Sequence, residues 1–437
     1  MWQRLLQIKA QLLAHEGFRR YGANTAWLMG EKILRMFIGL FVGIWIARYL
    51  GPEQFGLLSY AQSFVFLFTA VATLGLDSIV VRELVQDQSQ RDVLLGTAFA
   101  LKFAGSIVIL PLLWLGVQFT SNDSYTNLLI FIIASATIFQ SFNVIDFHYQ
   151  STVMSKYVAF ANTITLAISS LVKIYLILSQ ASLLAFALVG VFDALILALG
   201  MIYFYLIKTK HSLRQWKFSS KLAKRLLQDS FPLLIGGICF VTFSNVDVIM
   251  LKHYTSDIEV GLYAAAYRIS SLWYFLPGLV LSSLVPAIIK VKADIKQYEK
   301  RTIFLTTLLV WLAIIIALVI TIFSDKVLSL TYGDNYLKSI ESLIILIWVN
   351  VFIFFNSAWN YWKIIEGKER SILYFHSLVA LLNILMNIYL IPKLGSYGAA
   401  LSIIMSLMLV SMLFFIIDYK TRNLVLSILL FRFLRYV

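Results

Sequence analysis

Charge is scarce in this chain. Only 13% of its 437 residues are Asp, Glu, Lys or Arg, against 60% hydrophobic residues and a mean hydropathy of +0.84. A water-facing surface needs far more charge than 36 basic and 22 acidic residues supply, so a soluble protein is excluded. Cysteine occurs once, as Cys239 inside an apolar run, which excludes an intramolecular disulfide. The five histidines (His15, His148, His211, His253 and His376) are scattered. With no metal-ligand spacing, phosphate-cradling glycine loop or nucleotide motif, neither a metal, a cofactor nor ATP hydrolysis is expected. A cleavable signal peptide is not expected either. Residues 1–23 mix Arg4, Lys9, Arg19 and Arg20 with Trp2, Leu5, Ile8 and Leu12, the pattern of an amphipathic segment on a membrane surface.

What the chain does have is long apolar runs. A membrane helix needs roughly 20 apolar residues to cross about 30 Å of hydrocarbon. Twelve such runs follow from the sequence: 24–47, 55–76, 93–119, 127–147, 158–178 and 183–207, then 231–254, 261–289, 302–323, 343–361, 372–391 and 398–419. With an internal N-terminus, twenty-six of the 36 Lys and Arg fall in inside segments, while Arg48, Lys252, Lys326, Lys338 and Lys393 alone lie toward the outside. By the positive-inside rule both termini are then cytoplasmic. That scatter through short loops also accounts for the net charge of +14 without a nucleic-acid partner.

The most basic connection, KTKHSLRQWKFSSKLAKRLLQDS at 208–230, divides the runs six and six. The expected organisation is an amphipathic segment (1–23), a six-helix bundle (24–207), a basic cytoplasmic connector (208–230), a second six-helix bundle (231–419) and a basic tail (420–437). Weak internal similarity between RYLGPEQFGLLSYAQSF (48–64) and HYTSDIEVGLYAAAYRI (253–269) suggests duplication. An even span count per half sets both repeats in one orientation. The expected fold is therefore all-α and integral to the membrane, its two bundles related by a pseudo-two-fold axis along the membrane normal, with a central cavity between them.

An ionisable side chain within a span costs at least about 2.5 kcal/mol on insertion scales, so each invites an explanation. Glu31 and Arg35, four apart, are placed to pair, and Lys32 projects about 100° from Glu31. Lys102 and Asp193 lie at similar depths; they either pair or serve separately, Lys102 on an anionic substrate and Asp193 on a proton. Lys173 and Asp247 lie about one and a half turns from the outer surface, while Asp146 and Asp418 sit at cytoplasmic ends. Arg268 follows three alanines, and its fork suits bidentate phosphate binding. Because burial disfavours a charged carboxyl, the candidate ion-coupling residues are Asp247, Asp193 and Glu31. Asn350, Asn356, Asn360, Asn383 and Asn387 either line a sugar path or bond helices together. Pro111, Pro277 and Gly236-Gly237 mark bends within spans, Pro232 marks a helix start, and Asp87 and Arg91 have the spacing of a surface-helix pair.

The run ARYLGPEQFGLLSYAQSF, continued by LGLDSIVVRELVQD (74–87), resembles the N-terminal signature of O-antigen and polysaccharide flippases (Wzx-like) of the multidrug/oligosaccharidyl-lipid/polysaccharide exporter superfamily. Arg48, Gly51, Pro52, Phe55-Gly56, Gly75-Leu76-Asp77 and Arg82-Glu83 carry the match, and IYLIPKLGSYGAALS (388–402) resembles the loop before the last span. The loop SQAS (179–182), its counterpart in the first half, lacks both the Pro and the Gly.

The resemblance implies a transporter rather than an enzyme. Its expected substrate is a polyprenyl-pyrophosphate-linked oligosaccharide moved across a bacterial inner membrane by alternating access. Membrane lipid, a polysaccharide polymerase and chain-length machinery are its implied partners. It points to a cationic cavity at the first and eighth spans, hence to Arg35 and Arg268 with Arg48 above them, and Lys32, Lys102 and Lys173 as further substrate contacts. A multidrug exporter of the same superfamily is the alternative. A membrane glycosyltransferase or polymerase is a more distant one, since the short outer loops lack paired carboxylates.

Overall fold

The computed structural model describes residues 16–209, 211–417 and 422, and among them no strand occurs. The first fifteen residues, Asp418 and the tail beyond 422 lie outside the described residues. Fourteen helices are present among the described residues: α1 (Glu16–Thr73), α2 (Asp77–Gln86), α3 (Arg91–Gln118), α4 (Ser124–Gln140), α5 (Val144–Ser151), α6 (Lys156–Leu178), α7 (Leu183–Thr209), α8 (Ser220–Tyr254), α9 (Asp257–Ser271), α10 (Leu276–Ile289), α11 (Ile295–Ile322), α12 (Ser324–Thr331), α13 (Ile340–Ile365) and α14 (Glu369–Ile417).

Nine stretches among the described residues are long and apolar enough to cross a membrane, and a broken pair within α8, Ser220–Cys239 with Ser244–Tyr254, makes ten. Two of the ten each hold two of the expected spans. In α1 the helical run is interrupted at Gly51, whose φ of 70° is left-handed, and Pro52 restarts it; in α14 the interruption is Gly395, with φ 55°. Only glycine enters that region without strain, and proline is suited to a helix start. The chain is a multi-pass membrane protein with the expected twelve spans.

Two local expectations need correction. Pro232 does not begin a helix: α8 starts twelve residues earlier, at Ser220, and carries the proline inside it. Pro277, by contrast, does mark an interruption of the eighth span: the stretch Asp257–Val285 is split into α9 and α10, and the proline is the second residue of α10, where its missing N–H has no intrahelical acceptor to lose. Asp87 and Arg91 do not share a surface helix. The Asp87 side chain accepts from the Ser89 hydroxyl and N–H and from Gln90 Nε2, capping a 3₁₀ turn at Gln88–Gln90. Those donors hold its carboxyl below the ordinary value, and Arg91 turns to Asp92, 2.7 Å away.

The chain folds as two compact units. The first comprises the residues up to Tyr49 together with Ala61–Thr242. Within it α7 packs on both α4 and α6, and Leu84, Leu95, Val144, Tyr149, Tyr205 and Leu226 form a buried cluster. Much of the basic connector belongs to this unit as packed structure. Lys217 N–H donates to the Asp92 carbonyl, Ser219 N–H to Thr97 Oγ1, and Trp216 Nε1 to Tyr205 Oη.

The SQAS loop does without glycine by placing Gln180 at φ 52°, close to the 55° of Gly395 in its counterpart. A non-glycine residue held there costs on the order of 1–3 kcal/mol. Gln180→Gly is therefore expected to stabilise the protein by about 1 kcal/mol after glycine's own entropic cost, read as a raised thermal midpoint in detergent.

The second unit comprises Leu50–Tyr60 and the residues from Phe243 onward. Here α13 packs on α9, α11 and α14, and Trp359, Phe375 and Phe414 form an aromatic cluster with centroids 5.2–5.6 Å apart. The two stretches with internal similarity meet in this unit. A Cβ on Gly56 would overlap the Asp257 carbonyl oxygen, and a Cβ on Gly261 would overlap the Pro52 carbonyl oxygen. Gly56 and Gly261 are equivalent positions in the aligned stretches, as are Pro52 and Asp257. The contact is reciprocal, as a duplicated element meeting its own copy would make it.

Candidate substrate and ion sites

In the first unit most of the expected site charges have partners. Arg35 Nε lies 3.1 Å from Glu31 Oε1, the expected one-turn pair, with the Arg35 side chain 49% exposed and Glu31 buried. Lys102 and Asp193 do not pair with each other. Lys102, buried, donates to Asp77 Oδ1 at 2.9 Å and lies over the Phe147 ring at 4.8 Å. Asp193 accepts from Lys173 Nζ at 2.9 Å, which also donates to Ser169 Oγ at 2.7 Å. Equal depth along two helices does not make neighbours; the neighbour is set by which helices touch, and α6 packs on α7.

Asp77 stands in the quoted signature, but nothing in the sequence ties it to Lys102. Its place is in the first turn of α2, directly after a left-handed Leu74-Gly75 pair that turns the chain. Glu83 behaves similarly, since Arg225 reaches it at 2.7 Å from α8. Lys32 and Arg48 are exposed and form no close ion pair among the described residues, although the Lys32 charge acts at longer range on Asp146.

In the second unit Arg268 is half-buried and likewise has no carboxylate partner among the described residues. Its guanidinium carbon lies 4.7 Å from the centroid of the Phe55 ring. Phe55 itself packs on Tyr332 and Tyr336 at 6.4 and 6.3 Å, and those two rings are 5.3 Å apart. A cation on the face of an aromatic cluster is held by the ring quadrupoles without being neutralised, so its charge stays available to an anion. The three aromatics were not foreseen. Phe55 stood within the quoted signature, but nothing in the sequence tied it to Arg268.

Asp247 is 4% exposed, and its partners are neutral. Oδ2 accepts from Tyr263 Oη at 3.1 Å, and Oδ1 accepts from Asn387 Nδ2 at 2.6 Å; Asn387 Nδ2 also reaches Asn383 Oδ1 at 3.3 Å. Lys252, one turn along α8, is committed to Asp257 at 2.6 Å. Asn383 and Asn387, one turn apart on α14, thus belong to the Asp247 site. Asn350 serves instead as a tie between helices, donating to the Ser270 carbonyl and hydroxyl at 3.2 and 3.1 Å. No cluster of metal-ligating side chains occurs among the described residues.

Residues 21–292 match the family model described as polysaccharide biosynthesis protein, and residues 232–389 the one described as MatE. No curated protein matches. Among solved structures, an inward-facing multidrug resistance MATE family transporter of the MOP superfamily aligns with TM-score 0.68 and 14% identity, covering 89% of this chain and 94% of that one. The lipid II flippase MurJ in an inward closed conformation aligns with TM-score 0.66 and 17% identity, covering 94% and 92%. The eukaryotic MATE transporter AtDTX14 gives 0.56 and 12%, covering 94% and 100%. These likenesses establish the fold, and the first family model spans more than half the chain. The chain belongs to the polysaccharide biosynthesis protein family and has the fold shared by the MATE transporters and the flippase MurJ.

Proposed function

We propose that the protein flips a polyprenyl-pyrophosphate-linked oligosaccharide, an O-antigen or related repeat unit, from the cytoplasmic to the outer leaflet of a bacterial inner membrane, with both termini in the cytoplasm. The observation that carries this reading is Arg268, a cation held on an aromatic face with no carboxylate partner among the described residues to neutralise it. A pyrophosphate needs such a group, whereas a cationic drug is repelled by it. The family description, polysaccharide biosynthesis, points the same way. Lys32 and Arg48 are the supporting cations in the first unit. Lys102 and Lys173, committed to Asp77 and Asp193, act through those pairs rather than as open anion sites. Polymerase and chain-length machinery then consume the flipped unit.

The test is reconstitution with a panel of lipid-linked oligosaccharides and a leaflet-accessibility assay, beside a panel of cationic drugs. Arg268→Ala is expected to abolish flipping with protein still inserted. Arg268→Lys retains the charge but loses the planar stacking and fork, so it restores only part of the rate. Normal flipping by the alanine variant, or export of cationic drugs alone by the parent, overturns the proposal.

A further inference from the structure

The connections after the second, fourth and sixth spans necessarily emerge on one side of the membrane, and in the first unit they enclose a cavity of about 290 Å³. Its lining includes Gln88 and Arg91 from the first connection, His148 at the end of the fourth span, and Lys208 and His211 at the end of the sixth. No carboxylate lines it among the described residues. The hydroxyls of Ser151 and Thr152, also in the wall, are spent on the His148 carbonyl at 2.9 and 2.8 Å. The donors left to face the cavity are therefore Gln88, Arg91, Lys208 and the two imidazoles.

Two of the chain's five histidines meet here although they are 63 positions apart in sequence. Their ring centroids are 6.4 Å apart at 81°, and the Tyr205 ring lies 5.6 Å from His148 and 6.4 Å from His211. His148 is only 7% exposed, yet among the described residues neither imidazole has a hydrogen-bond partner for a ring nitrogen. Neither ring's nitrogens are among the sealed, unsatisfied polar atoms of the described residues, so both rings stay open to a ligand. The standing charge is positive. Arg91 is offset by Asp92, to which it gives Nε and one Nη, while its other Nη has no partner in that pair. Lys208 has no partner among the described residues. His211 is held below its usual value by burial and by the Arg91 charge, so it adds an N–H donor rather than a further cation.

We propose that this cavity binds a phosphate monoester. Tetrahedral geometry and double charge match a guanidinium, an ammonium and converging imidazole donors. A volume at the lower end of small-ligand pockets suits a phosphate with a glycerol-sized substituent rather than a nucleotide. The phosphate arrives on a soluble metabolite or on the headgroup of a lipid such as phosphatidic acid. Because the cavity lies wholly within one unit and shares no residue with the Arg268 or Asp247 sites, the inference stands apart from the proposed transport substrate.

The test uses the purified full-length protein. In detergent, glycerol 3-phosphate and inorganic phosphate are titrated by calorimetry, with glycerol as the control. In nanodiscs, thermal unfolding is compared between phosphatidic acid and phosphatidylcholine. Saturable binding of glycerol 3-phosphate assigns a soluble ligand; a raised midpoint in phosphatidic acid discs alone assigns the headgroup. In either arm Lys208→Gln, at an exposed position that leaves the fold intact, is expected to weaken the response about tenfold, the size of one charge-assisted contact. His148→Gln with His211→Gln is expected to abolish it. Absence of a response in both arms, or a response that Lys208→Gln leaves unchanged, overturns the proposal.

Discussion

Gly56→Leu is expected to yield no monodisperse protein after extraction in detergent, and Gly261→Leu likewise. Each glycine faces a backbone carbonyl of the other copy of the repeat, so the obstacle to a side chain cannot rotate aside as a flexible side chain would. Ordinary overpacking costs about 1–3 kcal/mol through rotamer and backbone shifts. Here the shift has to move α9, whose first turn is fixed by the Ser256 cap, or Pro52, whose φ the ring fixes where the helix restarts after Gly51. Even alanine is too large, since the overlap arises at Cβ itself. Gly56→Ala is therefore expected to lower the thermal midpoint by several degrees, on the scale of about 3 kcal/mol. Gly39→Ala supplies the control: nothing lies within 4 Å of its Cβ, and it is expected to be neutral or slightly stabilising. If Gly56→Ala unfolds at the same midpoint as Gly39→Ala, the close crossing does not exist.

The spans were legible because the membrane imposes a length on them, and little besides a bilayer calls for an unbroken run of about 20 apolar residues. The hairpins were legible at Gly51-Pro52 and near Pro392-Gly395, where the residues advertise the backbone they need. The positive φ at Gln180 was not, since nothing in the type of that residue announces it. Charge pairing was legible only within a helix. Glu31 and Arg35 follow from about 100° per residue, whereas Lys102 with Asp77 and Lys173 with Asp193 depend on which helices become neighbours and how each is rotated. The helix start at Pro232 was misplaced for a related reason: proline tolerates a first turn but does not require one, and α8 begins twelve residues earlier.

Asp247→Asn is expected to stop gradient-driven transport while leaving downhill substrate exchange largely intact. The site has the physical requirements of a coupling residue. A carboxylate 4% exposed, held by a phenol and an amide with no cation among the described residues, has nothing nearby to neutralise it. Removing one partner of a buried ion pair strands a charge at several kcal/mol, and Asp247 is in that situation from the outset. Arrival of a proton relieves it. Lys252, the nearest basic residue along α8, is already bound to Asp257. Glu31 and Asp193, the other acids considered, each carry a cation at 3.1 Å or closer and gain far less from protonation. Asparagine copies the neutral form in nearly the same volume. Its carbonyl accepts from Asn387, and its amide donates to the Tyr263 oxygen, so the fold is retained and the charge is not. The measurement is flipping in proteoliposomes under an imposed pH gradient, repeated under a sodium gradient at fixed pH, with exchange at equilibrium as the control. Tyr263→Phe removes one hydrogen bond but keeps the carboxylate, and it is expected to slow coupled transport without abolishing it. If Asp247→Asn responds to either gradient as the parent does, the carboxylate is structural and energy enters the cycle elsewhere.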